Sequence, residues 1–501
     1  MSAAETMGDR AAMKQYWEEH TKECSVQEMM LDSQAAEIDE MERPEILGLL
    51  GDVSGRRILE LGAGIGRFTA PLATKAKHVT AVDFMPHLIE ENRRLNGAAH
   101  KNIDFLAEDA TALELPPNSI DLFFSNWLLM YLSDAEVQSL MTRALKWTAP
   151  GGRLFFRESC FRQSGDKRRG FNPTKYRDPA QYFAMMDAAS HDLGGGREAR
   201  WELEVCRCVD TYVQLKQNQH QICWRARRVE VEIGEDPPRT KWRRDLDHRQ
   251  YTPRGLARYQ AVYGEGYIGP GGQEVTAELV GRLGLSEGQK VLDVGCGVGG
   301  AALYMAERCG VEVRGVDLSV NMIVAALSTA GGRGAKVSFE IADIVLRDLP
   351  DGAFDAVFSR EALLHIPDKL EVLKKCYRCL RPGGTLLLTD YCDGSAGVAG
   401  GDEAFAGYVR DRKYSLETLQ GYEGLLRQEG FTEVVAEDWT ARLIGTLDAE
   451  LHRMSANKQQ FARQFSLEEY DAIVASWMSK RRNAETGSHR WGLFIARKPA
   501  A

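Results

Sequence analysis

The chain repeats one pattern of residues at a fixed distance, and this repeat constrains its fold more than any other feature of the sequence. The apolar run RILEL at Arg57–Leu61 leads into GAGIG, and KVLDV at Lys290–Val294 leads into GCGVG, 233 residues later. VTAVDF, which contains Asp83, recurs 234 residues later as VRGVDL, which contains Asp317. Because self-similarity over a long period is typical of duplicated structural units, the sequence predicts two copies of one domain.

Further echoes extend the repeat through each copy. AED with Asp109 matches IAD with Asp343, LFFSN matches AVFSR, and APGGRLFF matches RPGGTLLL. Each copy predicts a strand, a glycine-rich turn, a helix, two strands ending in aspartate, another strand and helix, a PGG turn and a final strand. The expected fold class is α/β, with two tandem Rossmann-like domains that each contain a doubly wound parallel sheet.

The boundary between the copies is predicted from composition. The segment EIGEDPPRTKWRRDLD has two prolines, dense mixed charge and little apolar periodicity, which is typical of a linker. We therefore expect domains at residues 1–232 and 249–501, with a linker at 233–248. Roughly the last 110 residues are helical by pattern and predict a cap or insertion over the sheet edge of the second domain.

Charge argues against some classes of partner. The 501 residues carry a formal net charge of −9 and a sequence pI of about 5.7. Nucleic acids and anionic membranes favour basic surfaces, and no NPPY motif of base-flipping methyltransferases is present. We therefore expect a small-molecule substrate, no nucleic acid and no membrane insertion.

The cysteines and the hydropathy of the sequence indicate in which cellular compartment the protein is expected. The ten cysteines are thinly spread, the chain begins without a secretory leader pattern, and no apolar stretch approaches the ~18 residues of a membrane span. These features predict a soluble, cytoplasmic protein with reduced thiols. Cys376 and Cys379 have metal-like spacing, but no second pair follows, so we expect buried thiols and no metal.

The spacing of glycines and acids indicates a nucleotide-like cofactor. An acid at the end of the second strand, Asp83 or Asp317, suits hydrogen bonds to ribose hydroxyls, and this evidence alone leaves NAD open. Asp109 and Asp343 follow at the next strand end, where each can accept from an adenine amino group. The threefold pattern in both copies resembles class I methyltransferases and predicts S-adenosyl-L-methionine as the cofactor.

Longer motifs give a more specific resemblance over nearly the whole chain. They include YWEEH, FSNWLLMYLSD, FRESCFRQSGD and QICW in the first half, and RYQAVYGEGYIGPGG, HIPDK, TDYC, YVRDRKYSL and RWGLFIA in the second. The chain resembles the phosphoethanolamine N-methyltransferase family in its two-domain, plant-like form. That resemblance implies three successive N-methylations of phosphoethanolamine to phosphocholine, a step that supplies phosphatidylcholine synthesis.

The resemblance also implies site residues. Those expected to bind the cofactor are Gly62, Arg67, Asp83, Asp109, Ala110 and Asn126 in the first domain and Ile268, Gly269, Gly295, Asp317, Asp343, Ile344 and Arg360 in the second. Those expected to bind substrate are Ser159, Ser164, Gly165, Arg169 and Tyr176 in the first domain and Gln250, Tyr251, Tyr259, Glu361, Tyr391, Tyr408, Arg412, Tyr414 and Lys480 in the second. Hydroxyls, a glycine amide and basic side chains suit a phosphate in the first set, and an arginine, a lysine and phenol hydroxyls suit one in the second.

The reaction needs a free nitrogen lone pair. An alkyl ammonium has a pKa of about 10, by analogy with lysine, so only ~0.1% is neutral near pH 7 and a base is required. The family resemblance assigns this role to Tyr251 and His365. For the first domain, Tyr16 and His20 lie four residues apart and are a candidate pair, although YWEEH reads equally well as a packing face.

One position departs from the family pattern. Glu361 stands where aspartate is usual, and the extra methylene moves the carboxylate by ~1.5 Å. Its charge still suits a cationic amine, but the fit of the bulkier methylated intermediates is put in doubt.

Two rival functions remain open at this level. Another tandem amine methyltransferase, such as one converting glycine to betaine, needs a carboxylate clamp and no phosphate dependence. A cofactor-binding scaffold without catalysis is a second alternative. We expect a monomer, because two linked domains already supply two sites.

Overall fold

The computed structural model describes residues 3–166, 171–395 and 402–500, and divides the chain into two compact units, Met1–Arg244 and Asp245–Ala501. The division falls inside the predicted linker, but that segment is folded. Its helix α9 carries the buried Arg243, whose Nη2 lies 2.9 Å from both carboxylate oxygens of Asp187 in unit 1. The linker prediction missed this ion pair because the acid lies more than fifty residues away in sequence.

Unit 1 has a mixed sheet flanked by helices. The strands are β1 Arg57–Leu61, β2 His78–Asp83, β3 Ile103–Ala107, β4 Ile120–Asn126, β5 Thr148–Ser159, β6 Ser190–Gly194, β7 Arg197–Cys208 and β8 Gln221–Glu232. The helices are α1 Ala3–His20, α2 Val26–Met30, α3 Ala35–Leu50, α4 Thr69–Ala73, α5 Pro86–Asn96, α6 Asp134–Trp147, α7 Pro179–Ala188, α8 Asp210–Lys216 and α9 Pro238–Asp245. The order is β7-β8-β5-β4-β1-β2-β3, and β6 pairs antiparallel with β7.

Unit 2 repeats this architecture. Its strands are β9 Lys290–Val294, β10 Glu312–Asp317, β11 Val337–Ile341, β12 Phe354–Arg360, β13 Leu380–Asp393, β14 Thr432–Asp438 and β15 His489–Arg497. Its helices are α10 Pro253–Tyr263, α11 Gly272–Leu283, α12 Gly300–Cys309, α13 Val320–Ala330, α14 Lys369–Cys379, α15 Glu403–Arg412, α16 Leu419–Glu429, α17 Thr440–Ala456, α18 Lys458–Gln464 and α19 Leu467–Thr486. The order β14-β15-β13-β12-β9-β10-β11 matches that of unit 1, strand for strand.

The predicted parallel core of each sheet is present, and each unit adds antiparallel strands to it. In unit 1 the first five strands pair in parallel, whereas β8 pairs antiparallel with β5. In unit 2, β15 pairs antiparallel with β13 and lies within the segment predicted to be mainly a helical cap. The cap is present as α17, α18 and α19, and the same segment also completes the sheet.

The carboxyl ends of the parallel strands position both sites. Short strands such as RILEL are buried from the second residue on, since helices cover both faces of a parallel sheet. Polar residues that follow such strands meet at one edge, where ligands bind in doubly wound folds.

A buried ion pair in unit 1 gives a test of its stability. Glu42 is fully buried and accepts from Arg157 at 3.0 Å and from Arg67 at 3.4 Å. Removing Glu42 leaves the buried Arg157 without its ion-pair partner. Glu42→Ala is therefore expected to destabilise unit 1 by about 3–5 kcal/mol in denaturant unfolding. Glu91→Ala, which removes the partner of the exposed Arg94, is the control and should change stability little. Equal effects of the two substitutions would contradict this.

Candidate functional site

The glycine-rich loops bring backbone to the carboxyl ends of β1 and β9. Gly295 has φ +71°, and a Cβ there would lie 2.1 Å from the Cβ of Ala362. A Cβ on Gly66, at φ +89°, would lie 2.3 Å from Oδ1 of Asn92. Both positions therefore require glycine, because conformation and space each exclude a side chain.

The acids at the ends of β2 and β10 make the same contacts in both units. Asp83 accepts from the backbone N–H of Gly64 at 2.9 Å and of Met85 at 3.0 Å, and Asp317 accepts from Gly297 and Ser319 at 2.9 Å each. Each carboxylate thereby fixes the glycine loop and the following helix. Burial raises the pKa of Asp83 above its usual value and the pKa of Asp317 to about 6.

The acids after β3 and β11 begin a turn beside each loop. Oδ1 of Asp109 accepts from the backbone and hydroxyl of Thr111, and Oδ1 of Asp343 accepts from Val345 N–H at 3.0 Å. In unit 1, Oδ2 of Asp109 also lies 3.1 Å from Nε of Arg10 on α1. This ion pair holds the first helix against the acid. The buried Ala110 and Ile344 follow the two acids in sequence.

The predicted residues of unit 1 surround one open cavity with about 1360 Å³ of empty space. Ten of the eleven lie in its wall, namely Gly62, Arg67, Asp83, Asp109, Ala110, Asn126, Ser159, Ser164, Gly165 and Tyr176. Arg169 lies outside the described residues. The structure thus brings together residues that are up to 114 positions apart in the sequence.

Two of these predicted cofactor residues are engaged with protein groups. Arg67 donates to Asp39 at 2.6 Å, and Asn126 accepts from Arg157 at 3.3 Å. The Arg157 guanidinium lies 3.6 Å from the ring centre of Trp127. These contacts make Arg67 and Asn126 rigid parts of the cavity wall.

Tyr16 and His20, the candidate pair of unit 1, pack against each other on α1. Their rings stack at 4.1 Å, and Nδ1 of His20 lies 2.7 Å from the carbonyl oxygen of Tyr16. Neither residue belongs to the cavity wall. This geometry favours the packing interpretation of YWEEH.

Unit 2 contains the predicted tyrosine and histidine pair. Oη of Tyr251 lies 2.8 Å from Nε2 of His365, and the rings meet edge to face. Burial and the nearby Lys369 lower the pKa of His365 to about 4, while burial raises the pKa of Tyr251. At neutral pH the imidazole is therefore unprotonated, and the phenol donates to Nε2.

A cluster of polar aromatic and basic side chains extends from this pair. The His365 ring lies 5.3 Å from that of Tyr414, whose hydroxyl accepts from Gln250 at 3.4 Å. The Tyr414 ring lies 6.1 Å from that of Tyr408, and the Arg412 guanidinium lies 4.0 Å over Tyr408. Tyr408, Arg412 and Tyr414 thus lie together, with the Arg412 guanidinium stacked on the Tyr408 ring.

Lys480 completes the cluster from α19. Its Nζ donates to Oη of Tyr391 at 3.1 Å, and it lies 5.4 Å from the ring of Trp477, which packs near Tyr259. Burial, assisted by Arg412, lowers the pKa of Lys480 to about 8. The structure thus places a buried ammonium near a guanidinium and several phenol hydroxyls.

Glu361 and Arg360 lie between the glycine loop and this cluster. Oε1 of Glu361 accepts from Thr389 at 2.6 Å and from Trp491 at 2.9 Å, while Oε2 has no hydrogen bond within the described part of the chain. Arg360 donates to the carbonyl of Pro270 at 2.7 Å and so secures the loop that carries Ile268 and Gly269. The extra methylene of Glu361 is accommodated because a hydroxyl and an indole hold one carboxylate oxygen.

The residue after the fourth strand is strained in both units. Trp127 has φ +59° and Glu361 has φ +45°, in the region that side chains other than glycine avoid. Such strain clusters where surrounding structure fixes a functional side chain. Trp127 thus occupies in unit 1 the position that Glu361 occupies in unit 2. Tyr131 corresponds to His365, since each ends the short helical turn that follows.

The cysteine pair has a structural environment. Cys376 and Cys379 are buried in the core of unit 2, and burial raises the pKa of both thiols. Among the residues described, no group of three or more histidine, cysteine or acidic side chains is arranged to hold a metal ion.

Comparison with known proteins identifies the family. Models described as a methyltransferase domain match residues 58–152 and 292–388. A phosphoethanolamine N-methyltransferase of Triticum aestivum is 46% identical over 98% of this chain and 96% of its own length. The chain belongs to the phosphoethanolamine N-methyltransferase family. Phosphoethanolamine N-methyltransferase 3 of Arabidopsis thaliana is also 46% identical, over 98% of this chain and 99% of its own length.

A solved structure supports the assignment to this family. Haemonchus contortus phosphoethanolamine N-methyltransferase 2, in complex with phosphomonomethylethanolamine and S-adenosylhomocysteine, matches with a TM-score of 0.75 and 25% identity, over 92% of this chain and 99% of that chain. The predicted family and the class I methyltransferase fold of both units are therefore confirmed. Within the described ranges, no helix is long and apolar enough to span a membrane.

Sequence reasoning missed several residues that form the unit 1 site. Arg10, Glu60, Trp127 and Gln221 all belong to the cavity wall. Trp127 and Gln221 lie in FSNWLLMYLSD and QICW, which carried the family resemblance without indicating a role for either residue. Glu60 and its counterpart Asp293 are the last residues but one of β1 and β9, and burial raises their pKa values to about 8 and about 7.

Proposed function

We propose that this protein transfers methyl groups from S-adenosyl-L-methionine to the nitrogen of phosphoethanolamine and of its mono- and dimethyl forms, giving phosphocholine. Unit 1 takes the first step and unit 2 the second and third. The observation that carries the proposal is the Tyr251–His365 pair beside a buried ammonium and guanidinium, in a chain of this family. The acceptor bound to the Haemonchus contortus relative is of the same chemical class.

Both units fit the proposed cofactor. When bound, S-adenosyl-L-methionine supplies an electrophilic methyl group on a sulfonium sulfur. The glycine loops allow close backbone approach, and Asp83 and Asp317 keep lone pairs for ribose hydroxyls. In unit 2, Oδ2 of the buried Asp293 has no hydrogen bond within the described residues, so a donor of the cofactor suits that atom.

The acceptor phosphate suits the polar clusters. In unit 2, Lys480 and Arg412 supply charge, and Tyr391 and Tyr408 supply hydroxyls, which together match a phosphate dianion. In unit 1, Ser159 and Ser164 supply hydroxyl donors at the cavity wall. A phosphate held in this way orients the amine, which is the main requirement of an in-line displacement.

The Tyr251–His365 pair prepares the amine of unit 2. The neutral imidazole accepts from the phenol, so the remaining lone pairs of Oη can accept a proton from the acceptor nitrogen. As Oη takes this proton from the nitrogen, it passes its own proton to Nε2 of His365, so the phenol stays neutral throughout. Oε2 of Glu361 has no hydrogen bond in the described residues and lies 3.6 Å from Nε of Arg360, so it offers the cationic methylated acceptors a carboxylate that is partly balanced by that guanidinium.

The compartment and assembly are part of the same proposal. Ten thinly spread cysteines fit a reducing compartment such as the cytosol. Each unit carries its own cofactor and acceptor residues, so a monomer supplies every group that the reaction needs.

Methyl transfer to three separate acceptors tests the function. Purified full-length protein with labelled S-adenosyl-L-methionine should methylate phosphoethanolamine and its mono- and dimethyl forms, and phosphocholine should compete with them. Methylation of glycine without inhibition by phosphocholine would favour the betaine-forming alternative. Cofactor binding without turnover of any of these acceptors would favour the scaffold.

A further inference from the structure

Gln221 lies fully buried at the beginning of β8, beside the serines of the unit 1 cavity. Antiparallel pairing of β8 with β5 places Gln221 opposite Ser159. Gln221 also belongs to the cavity wall, together with Ser159 and Ser164. Its amide therefore controls the hydrogen bonds available to both hydroxyls.

The orientation of this amide is fixed by Trp127. The indole Nε1 can only donate, and it lies 2.9 Å from Oε1 of Gln221. The amide nitrogen must then face the serines, where it donates to Oγ of Ser159 and to Oγ of Ser164. Both amide hydrogens are used, so each serine oxygen is an acceptor toward Gln221.

Asn218 imposes the same direction on Ser164. Oδ1 of Asn218 accepts from the backbone N–H of His220 at 2.8 Å, which can only donate. Nδ2 of Asn218 therefore faces Ser164 and donates to Oγ at 3.0 Å. Both lone pairs of Ser164 Oγ thus accept hydrogen bonds, from Asn218 and Gln221, and the single hydroxyl hydrogen remains to donate to another group.

We propose that Gln221 is the positioning residue that directs the Ser159 and Ser164 hydroxyls toward the acceptor's phosphate in unit 1. Neither hydroxyl donates to a protein group in the described residues, and both line the cavity. Two hydroxyl donors held in this direction suit the oxygens of a phosphate, which only accepts hydrogen bonds at neutral pH. This inference rests on the proposed function, because it takes a phosphate-bearing acceptor in unit 1 as given.

Unit 2 uses the equivalent position differently. Trp491 lies opposite Tyr391 in the same strand pairing and donates to Glu361, whereas Gln221 lies opposite Ser159 and accepts from Trp127. Tyr391 accepts from Lys480, so unit 2 has a cation beside its strand-end hydroxyl. A directing amide at this position is therefore a feature of unit 1.

The test measures the first methylation in an Asp317→Ala background, where unit 2 is disabled. Gln221→Glu replaces the donors with a carboxylate that accepts from the serines and repels phosphate. The KM for phosphoethanolamine and the inhibition constant of inorganic phosphate should rise about 30-fold, the scale of a lost hydrogen bond to a charged group. The KM for S-adenosyl-L-methionine should stay near that of the parent. Gln181→Glu, on the exposed start of α7, is the charge-matched control.

Gln221→Met keeps the side-chain length without a directing amide, and it decides the question if Gln221→Glu fails to fold. Added to the Asp317→Ala parent, Gln221→Met should raise the KM for phosphoethanolamine. Added to a parent that also carries Ser159→Ala and Ser164→Ala, it should leave this KM unchanged, since the amide acts through those hydroxyls. An unchanged KM in the parent, or an equal rise in both backgrounds, would overturn the role of Gln221. Failure of the parent to methylate phosphoethanolamine would instead overturn the proposed function of unit 1.

Discussion

Tyr251→Phe is expected to slow methylation of the mono- and dimethyl acceptors at least 100-fold, the usual scale of a lost acid–base group. The substitution removes the hydroxyl that contacts Nε2 of His365 at 2.8 Å and keeps the ring that packs in the cluster. Methylation of phosphoethanolamine by unit 1 should continue. The measurement is the initial rate with each acceptor, and Tyr377→Phe, whose ring packs on Phe431 away from the pair, is the matched control.

His365→Asn should cause a similar loss, and the double variant should lose little more, because the two residues act as one unit. The pKa of His365 is lowered to about 4, so the residue stays neutral as the pH falls through 6.5 and protonates only near 4. The wild-type kcat/KM for the later acceptors should therefore lack an inflection near pH 6.5. An inflection there that disappears in His365→Asn, or additive losses in the double variant, would contradict the proposed proton path.

Lys480→Met is expected to raise the KM for the mono- and dimethyl acceptors about 100-fold, because a charge-assisted contact to phosphate is lost in a buried site. The fold should survive, since a buried ammonium that donates to Tyr391 Oη and lies over the Trp477 ring is replaced by an apolar side chain of similar length. Lys458→Met, at an exposed position on α18, is the control. The KM for each acceptor and the thermal midpoint of unfolding together separate binding from folding.

The affinity of unit 2 for its phosphate-bearing acceptors should change with pH in one direction. Burial lowers the pKa of Lys480 to about 8, so the free site carries the ammonium below that pH and loses it above. Affinity for the phosphate-bearing acceptors should therefore fall as the pH rises through about 8, and Lys480→Met should lack this fall. A KM that is unchanged by the substitution at pH 7 would show that Lys480 does not contact the phosphate.

Much of the fold could be predicted because each repeated motif is formed by residues that are close in sequence. Gly62, Asp83 and their counterparts belong to short strand–turn segments whose spacing alone indicates a sheet edge, and the structure has the predicted core strands. The antiparallel β8 and β15 were not predicted, since their place in the sheet depends on pairing with β5 and β13 across long stretches of sequence.

The site was predicted less completely, for a physical reason. Ser159 and Ser164 were identified by their chemistry and by the resemblance, but the residue that directs them, Gln221, lies 62 positions from Ser159. Arg10 likewise reaches Asp109 only through the folding of α1 over the cavity. Contacts of this kind have no periodic signal in the sequence, because tertiary packing alone creates them.

We infer that each unit holds its own cofactor and performs its own methylation steps. The most direct test is transfer of label from S-adenosyl-L-methionine to each of the three acceptors by wild type, Asp83→Ala and Asp317→Ala. Each aspartate accepts from the glycine loop of its own unit, at Gly64 or Gly297, and from the residue that precedes the next helix, at Met85 or Ser319. Asp83→Ala should therefore lose the first methylation alone, and Asp317→Ala the second and third. Loss of all three steps in either variant, or retention of all three in both, would contradict the account.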